Sequence, residues 1–261
     1  MQTGPNQISL VDSHCHIPMI EMEGGVAAIL ENAHQQGIEH MLCVSVDMDS
    51  YPALLELAGQ YDCISASVGV HPNTLMPIEI TMNELIRHAQ DPRVVAIGET
   101  GLDYFRSEGD LEWQRDRFRM HIRAAKEVKK PLIIHCRDAK EDVLKILKEE
   151  QAEQVGGVMH CFVEDLDTAL RSIDLNFAIS FSGIVTFKSA TALQQVAKQL
   201  PESCLLIETD SPYLAPVPYR GRSNQPAYVR HVAEYLAKLR DTSLEQIAAV
   251  TTANYYSLFN Y

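Results

Sequence analysis

VVAIGETGLDYFRSEGDLEWQRDRFRMHIRAAKEVKKPLIIHC, residues 94–136, decides the fold. It opens on a short apolar run rich in β-branched residues, VVAIGE (94–99). An amphipathic stretch follows, DLEWQRDRFRMHIRAAKEV (110–128), and the segment closes on a second apolar run, LIIHC (132–136). A strand, a helix and a strand in that order form a parallel βαβ unit. Each strand ends on a side chain able to bind a metal, Glu99 in the first and His135 in the second.

The same alternation runs through the chain. Strands are expected at 8–14, 40–46, 64–70, 94–99, 132–136, 157–161, 177–181 and 205–209. Helical patterns lie among and after them, for example at 25–36, 141–150, 227–240 and 243–259. Eight such units in 261 residues fit a (β/α)8 TIM barrel, with an open doubly wound sheet as the alternative. With no linker, low-complexity tract or charge block, residues 1–261 read as a single domain.

Bulk properties narrow the function. The chain is 46% apolar, enough for a sizeable core, and carries a formal charge of −13. That acidity argues against a protein that slides along duplex on a basic face. It leaves room for an enzyme that takes a strand end into a small metal-lined pocket, where ions and a few arginines supply positive charge. The six cysteines form no CxxC and the chain is too long for a disulfide scaffold, so reduced thiols and a cytoplasmic location are expected. The N-terminal MQTGPNQ lacks the basic and apolar regions of a signal peptide, and no stretch has the length of a membrane span.

The chemistry collects at strand ends. VDSHCH (11–16) places His14 and His16 two residues apart, so on a strand they share a face, with Asp12 below and Cys15 turned away. His160 ends strand 6 and Asp210 ends strand 8. In a parallel barrel these ends converge on the face where such enzymes place their chemistry. Alone, each residue has an ordinary explanation: a core histidine, a strand-end cap, an Asx turn. Together, His14, His16, Glu99, His135, His160 and Asp210 make one ligand set, rich enough for two metal ions bridged by Glu99. Cys15, Cys136 and Cys161 alternate with the histidines and are expected to be buried packing residues. Glu208 shares a face with Asp210 but lies deeper, where it would orient a ligand or loop from below. His34, His88, His121 and His231 fall in helical patterns and His40 starts a strand, so structural roles are expected for them. His71, ending strand 3 in GVHP, is expected to contact substrate.

As a set and in order, SHCH (13–16), GVHP (69–72), GETGLDY (98–104), HCRD (135–138), GVMHCF (157–162) and ETDSPYL (208–214) resemble the TatD-like metal-dependent hydrolases, and within them the YcfH branch. The likeness runs from about residue 8 to the C-terminus. It implies a TIM-barrel hydrolase in which His14, His16, Glu99 and Asp210 hold one metal and Glu99, His135 and His160 a second. It implies a deoxyribonuclease, a 3′→5′ exonuclease on single-stranded DNA, with Glu99 and Asp210 catalytic. Asp210 would take the proton of the attacking water, and His71, Arg137 and Arg222 would form a cationic rim for the substrate. Imidazole ligands favour Zn²⁺, Mn²⁺, Co²⁺ or Ni²⁺ over Mg²⁺. Two other activities share this ligand pattern: ester hydrolysis on D-aminoacyl-tRNA, and amide hydrolysis on a small cyclic substrate. Many amidohydrolases bridge their metals with a modified lysine on strand 4, where this chain has Glu99. A non-catalytic metal-binding barrel is the third class, and a ligand set spread over several strands argues against it. Neither a membrane nor an obligate protein partner is expected. One departure stands out: Asn224-Gln225-Pro226 occupies the place where many members have Asn-Glu-Pro.

Overall fold

The computed structural model describes residues 8–259. The stretch MQTGPNQ, read above as lacking a signal peptide, lies outside the described residues. Eight strands form one sheet in the order β1-β2-β3-β4-β5-β6-β7-β8. They are β1 Leu10–Cys15, β2 Ile38–Cys43, β3 Ile64–Val68, β4 Val94–Asp103, β5 Leu132–Arg137, β6 Gly157–Met159, β7 Phe177–Phe181 and β8 Leu205–Ile207. The helices are α1 Gly25–Gln35, α2 Tyr51–Gln60, α3 Met82–Ala89, α4 Glu112–Val128, α5 Lys140–Glu149, α6 Leu166–Asp174, α7 Thr191–Gln199, α8 Val229–Leu239 and α9 Leu244–Phe259. This is the (β/α)8 fold, as expected from the alternation. Among the described residues, no helix is long and apolar enough to cross a membrane.

By packing, the chain divides into two compact units: residues up to Leu42 with Ser180–Ser257, and Cys43–Ile179 with the residues from Leu258 on. In the first unit, the segments around β1 and β8 meet. The Asp210 N–H donates to His14 O at 2.9 Å, the His16 N–H donates to Ser211 O at 2.8 Å, and Cys15 and Ser211 form a parallel bridge. The ladder thus continues beyond the last regular residue of β8 and carries Asp210 up beside the β1 histidines. In the second unit, β3 through β6 pair in parallel. Their residues are buried almost without interruption, as strands covered on both faces must be.

Local chemistry sets the helix ends and faces. Thr81 and Glu84 form a reciprocal capping box at the start of α3, and the Asp165 side chain caps α6 through the Thr168 N–H. α4 buries Phe118, His121, Ile122 and Ala125, one face of a helix at spacings of three and four.

The β4–β5 register shifts between Ile97 and Thr100, around Glu99. Such irregularities re-aim a side chain at a strand end. Glycine makes this one possible. A Cβ on Gly98 would sit 2.7 Å from Ile133 Cβ, and one on Gly101 2.0 Å from His135 O. Both residues also have positive φ, 151° and 137°.

Candidate metal centres

The first unit carries one cluster. His14 Nε2 and His16 Nε2 lie 3.2 Å apart. Asp210 Oδ1 is 3.7 Å from the first and 3.4 Å from the second. Alternation on β1 aims both rings the same way, and φ of +55° at Asp210 turns its side chain toward them. The group is held from below. Asp12 Oδ1 accepts from the Thr209 N–H at 2.8 Å, and Asp12 Oδ2 accepts from the Thr209 hydroxyl at 2.5 Å. Burial pushes the Asp12 carboxyl well above the usual carboxylate range; the Thr209 hydrogen bonds oppose that, and nearby Glu208 adds to it. Fully buried Asn224 donates to Thr209 O at 2.9 Å and to Tyr213 O at 2.6 Å, locking the loop that follows Asp210.

The second unit carries the other cluster. Glu99 Oε1 lies 2.9 Å from His135 Nδ1, 2.9 Å from His160 Nε2 and 3.5 Å from His71 Nε2. Its second support is Asp103, which faces His135 Nε2 at 3.1 Å. Asp103 is fixed in turn by the Asn73 amide at 2.7 Å and the Arg106 N–H at 2.9 Å. Burial disfavours the Asp103 charge, but the bonds from His135, Arg106 and Asn73 outweigh it and hold the carboxyl below its usual range. Burial likewise disfavours charge on His135, but Asp103 and Glu99 outweigh it and raise the ring. A carboxylate behind a histidine whose other nitrogen faces a ligand oxygen is a common support for a metal-bound imidazole.

Both donor sets fit a divalent ion. Each brings at least three His or carboxylate ligand atoms within 4.8 Å of one another: His14, His16 and Asp210 in one, His71, Glu99 and His135 in the other. In the second cluster, three imidazole nitrogens converge on one carboxylate oxygen, a mixed nitrogen and oxygen set suited to Zn²⁺, Mn²⁺, Co²⁺ or Ni²⁺. The protein therefore has two sites for divalent metal ions.

All six expected ligands lie in these clusters. His71 was expected on the substrate rim, but it packs within the second cluster, its ring centroid 4.5 Å from that of His135. Burial lowers it to about 4, with Glu99 opposing, so it is neutral near pH 7 and not a cation. The Arg137 guanidinium stands 4.0 Å from the Phe105 ring centroid. Arg222 lies exposed in a turn closed by its N–H to Tyr219 O at 3.0 Å. Among the described residues, no hydrogen bond or ion pair ties either arginine side chain to a cluster. Glu208 is fully buried, its N–H donating to Phe181 O at 3.1 Å.

Of the cysteines, Cys15 is buried as expected, but Cys136 and Cys161 are partly exposed. Burial, with Glu164 adding, pushes the Cys136 thiol up to about 12, which suits an inert thiol. His121 has the structural role expected of it. It accepts from the Val70 N–H at 3.1 Å through Nε2 and donates to Arg117 O at 2.8 Å through Nδ1.

Sequence reasoning missed Asp103, Thr209 and the bracing role of Asn224. Asp103 had a signal: it lies four residues past Glu99 in the same strand. Arg117 was also missed. It reaches from α4 to His71 O at 3.1 Å and Thr74 O at 2.8 Å, pinning the loop after His71.

Comparison with known proteins agrees with this geometry. The family model described as TatD related DNase matches residues 11–260. The chain is 46% identical to the uncharacterized metal-dependent hydrolase YcfH of Escherichia coli K12 over 255 residues, covering 96% of each. It is 42% identical to the uncharacterized metal-dependent hydrolase YabD of Bacillus subtilis over 253 residues, covering 96% of this chain and 98% of that one. The crystal structure of YJJV, a TatD homolog from Escherichia coli, superposes with a TM-score of 0.92 at 28% identity, covering 98% of this chain and all of that one. With two metal clusters in place and this match across nearly its whole length, the chain is a metal-dependent hydrolase that belongs to the TatD related DNase family.

Proposed function

We propose that the protein is a phosphodiesterase that removes nucleotides from the 3′ end of single-stranded DNA. The observation that carries this reading is the convergence of His71, His135 and His160 on Glu99, a carboxylate-centred donor set in a chain of this family. In this reading His14, His16 and Asp210 would hold one ion, and Glu99, His135 and His160 the other. Bound there, divalent ions supply Lewis acidity, which makes water nucleophilic near neutral pH and offsets phosphate charge.

The chain's own residues supply the rest. Asp210 is 15% exposed and Glu99 is 3% exposed. The more open carboxylate is the better placed to take a proton from the attacking water and pass it to the leaving oxygen. Asp103 keeps the His135 ring in one orientation and so keeps Nδ1 toward Glu99. His71 acts as a neutral imidazole beside Glu99. Arg137 and Arg222 are the cations available to substrate phosphates, and Glu208 supports the Asp210 strand end from its buried position. A cytoplasmic location is supported by six free cysteines, and a single working domain over 1–261 by the family match across 11–260.

The test is a single-stranded oligonucleotide labelled at its 5′ end and incubated with Mn²⁺-loaded protein. A ladder that shortens one nucleotide at a time, absent with Glu99→Gln, is the expected result. Intact oligonucleotide with metal shown to be bound would overturn the nuclease reading and turn the search to ester hydrolysis, with D-aminoacyl-tRNA the first substrate to try.

A further inference from the structure

The large exposed apolar side chains of the second unit are unevenly placed. Leu75, Ile78, Phe105 and Val163 lie in loops that follow strands, and Leu170 alone lies on a helix. Phe105 differs from the others in its neighbours. It is 61% exposed, and the Arg137 guanidinium stands 4.0 Å from its ring centroid. The two residues leave adjacent strands side by side. Arg137 is the register partner of Asp103 in the β4–β5 pair, and Phe105 follows Asp103 by two residues. Asp103 touches His135, and Arg137 follows His135 by two residues. The aromatic and the cation therefore stand one step outward from the metal cluster, along the same two strand ends.

We infer that Phe105 is a stacking platform for the terminal base of a single-stranded DNA substrate, with Arg137 backing the ring and meeting the adjacent phosphate. This rests on the nuclease reading above and deepens it. An aromatic face accepts any base, because every base has a π-face, so the platform gives affinity without sequence preference. A guanidinium on one face leaves the other for the base and adds its own attraction. The net charge of −13 makes the case stronger, since the protein's overall charge does not attract a polyanion and affinity must come from local contacts. Stacking supplies affinity that does not depend on a basic surface. A duplex end keeps its bases paired and stacked, so the platform selects unpaired strands.

The experiment uses metal-loaded protein and an oligonucleotide carrying 2-aminopurine at its 3′ end, with phosphorothioate linkages there to slow turnover. Stacking quenches 2-aminopurine fluorescence, so the readout does not need cleavage. Wild type and Phe105→Trp are expected to quench it on binding. Phe105→Ala, a change at an exposed position, is expected to abolish the quench and weaken binding about tenfold. An alanine variant that binds and quenches like wild type would overturn the platform, as would a wild type that does not quench. Cleavage of an unprotected oligonucleotide is measured alongside. Cleavage without quenching overturns the platform and leaves the nuclease reading intact. Quenching without cleavage would show that an unpaired base stacks here, but would overturn the nuclease reading and with it the platform's role toward a substrate.

Discussion

The two metal clusters use the same ligand types but are braced differently. Around His14, His16 and Asp210 the bracing runs mainly through backbone, with the Asp12–Thr209 side-chain pair beneath it. The ladder runs through Asp210 N–H to His14 O and His16 N–H to Ser211 O, and Asn224 ties down the carbonyls of Thr209 and Tyr213. Around Glu99 the ligands themselves are braced side chain on side chain, and only the following loop is pinned through its carbonyls. Asp103 orients His135, Asn73 orients Asp103, and Arg117 pins the loop after His71. The first arrangement makes ligand geometry a consequence of the fold, so damage there should register as lost stability. The second allows ligand geometry to be loosened while the fold survives, so damage there should register as lost metal affinity.

The largest effect should come from Glu99→Gln. A neutral amide cannot replace the anionic oxygen on which three imidazoles converge, and kcat should fall by about three orders of magnitude, roughly 4 kcal/mol of lost transition-state stabilisation. Circular dichroism should show an unchanged fold. Activity within tenfold of wild type would mean that this cluster is not where the chemistry happens.

The next effect is a pH dependence of stability, to which one buried histidine outside the metal clusters contributes in each unit. Burial lowers both His40 and His121 from 6.5 to about 4. Above pH 6.5 both rings are neutral in the folded and unfolded chain, and their contribution to stability is fully present. As pH falls toward 4, the unfolded chain takes up protons that the folded one resists, and stability is lost, by up to about 3 kcal/mol for each ring. Urea midpoints between pH 7.5 and 4.5 should fall in wild type and fall less in His121→Gln. Parallel slopes would show that His121 does not carry its share.

Asn224→Ala and Asp103→Asn then set the two kinds of bracing against each other. The first leaves the buried Thr209 carbonyl and the part-buried Tyr213 carbonyl without their donor and should cost about 1–3 kcal/mol of stability. The second should leave the thermal midpoint nearly unchanged while weakening one bound metal by about tenfold or more. If Asp103→Asn proved the more destabilising and Asn224→Ala the more damaging to metal affinity, the contrast between the clusters would be wrong.

The backbone-braced cluster was the easier to read from sequence. His14 and His16 are two residues apart on a strand, and period two alone puts them on one face. Asp210 is harder, because it lies three residues past the end of β8 and reaches its partners through a positive φ that no apolar pattern encodes. Glu99, His135 and His160 were legible as polar residues closing apolar runs. Asp103 was not read, because β4 continues through it to residue 103, whereas the apolar run ends near 99. His71 was placed on the correct loop, but its packing against His135 and Glu99 was not read. A sequence shows that a histidine ends a strand, but not that Arg117 from a helix will fold the following loop over it.

The central claim is that each cluster holds a divalent ion, and bound metal per chain tests it most directly. Protein loaded with excess Mn²⁺ or Zn²⁺, desalted and assayed for metal, should retain about two ions in wild type. His16→Ala should lose one, and His160→Ala should lose one. A wild type that holds a single ion, released equally by either substitution, would contradict two separately braced sites.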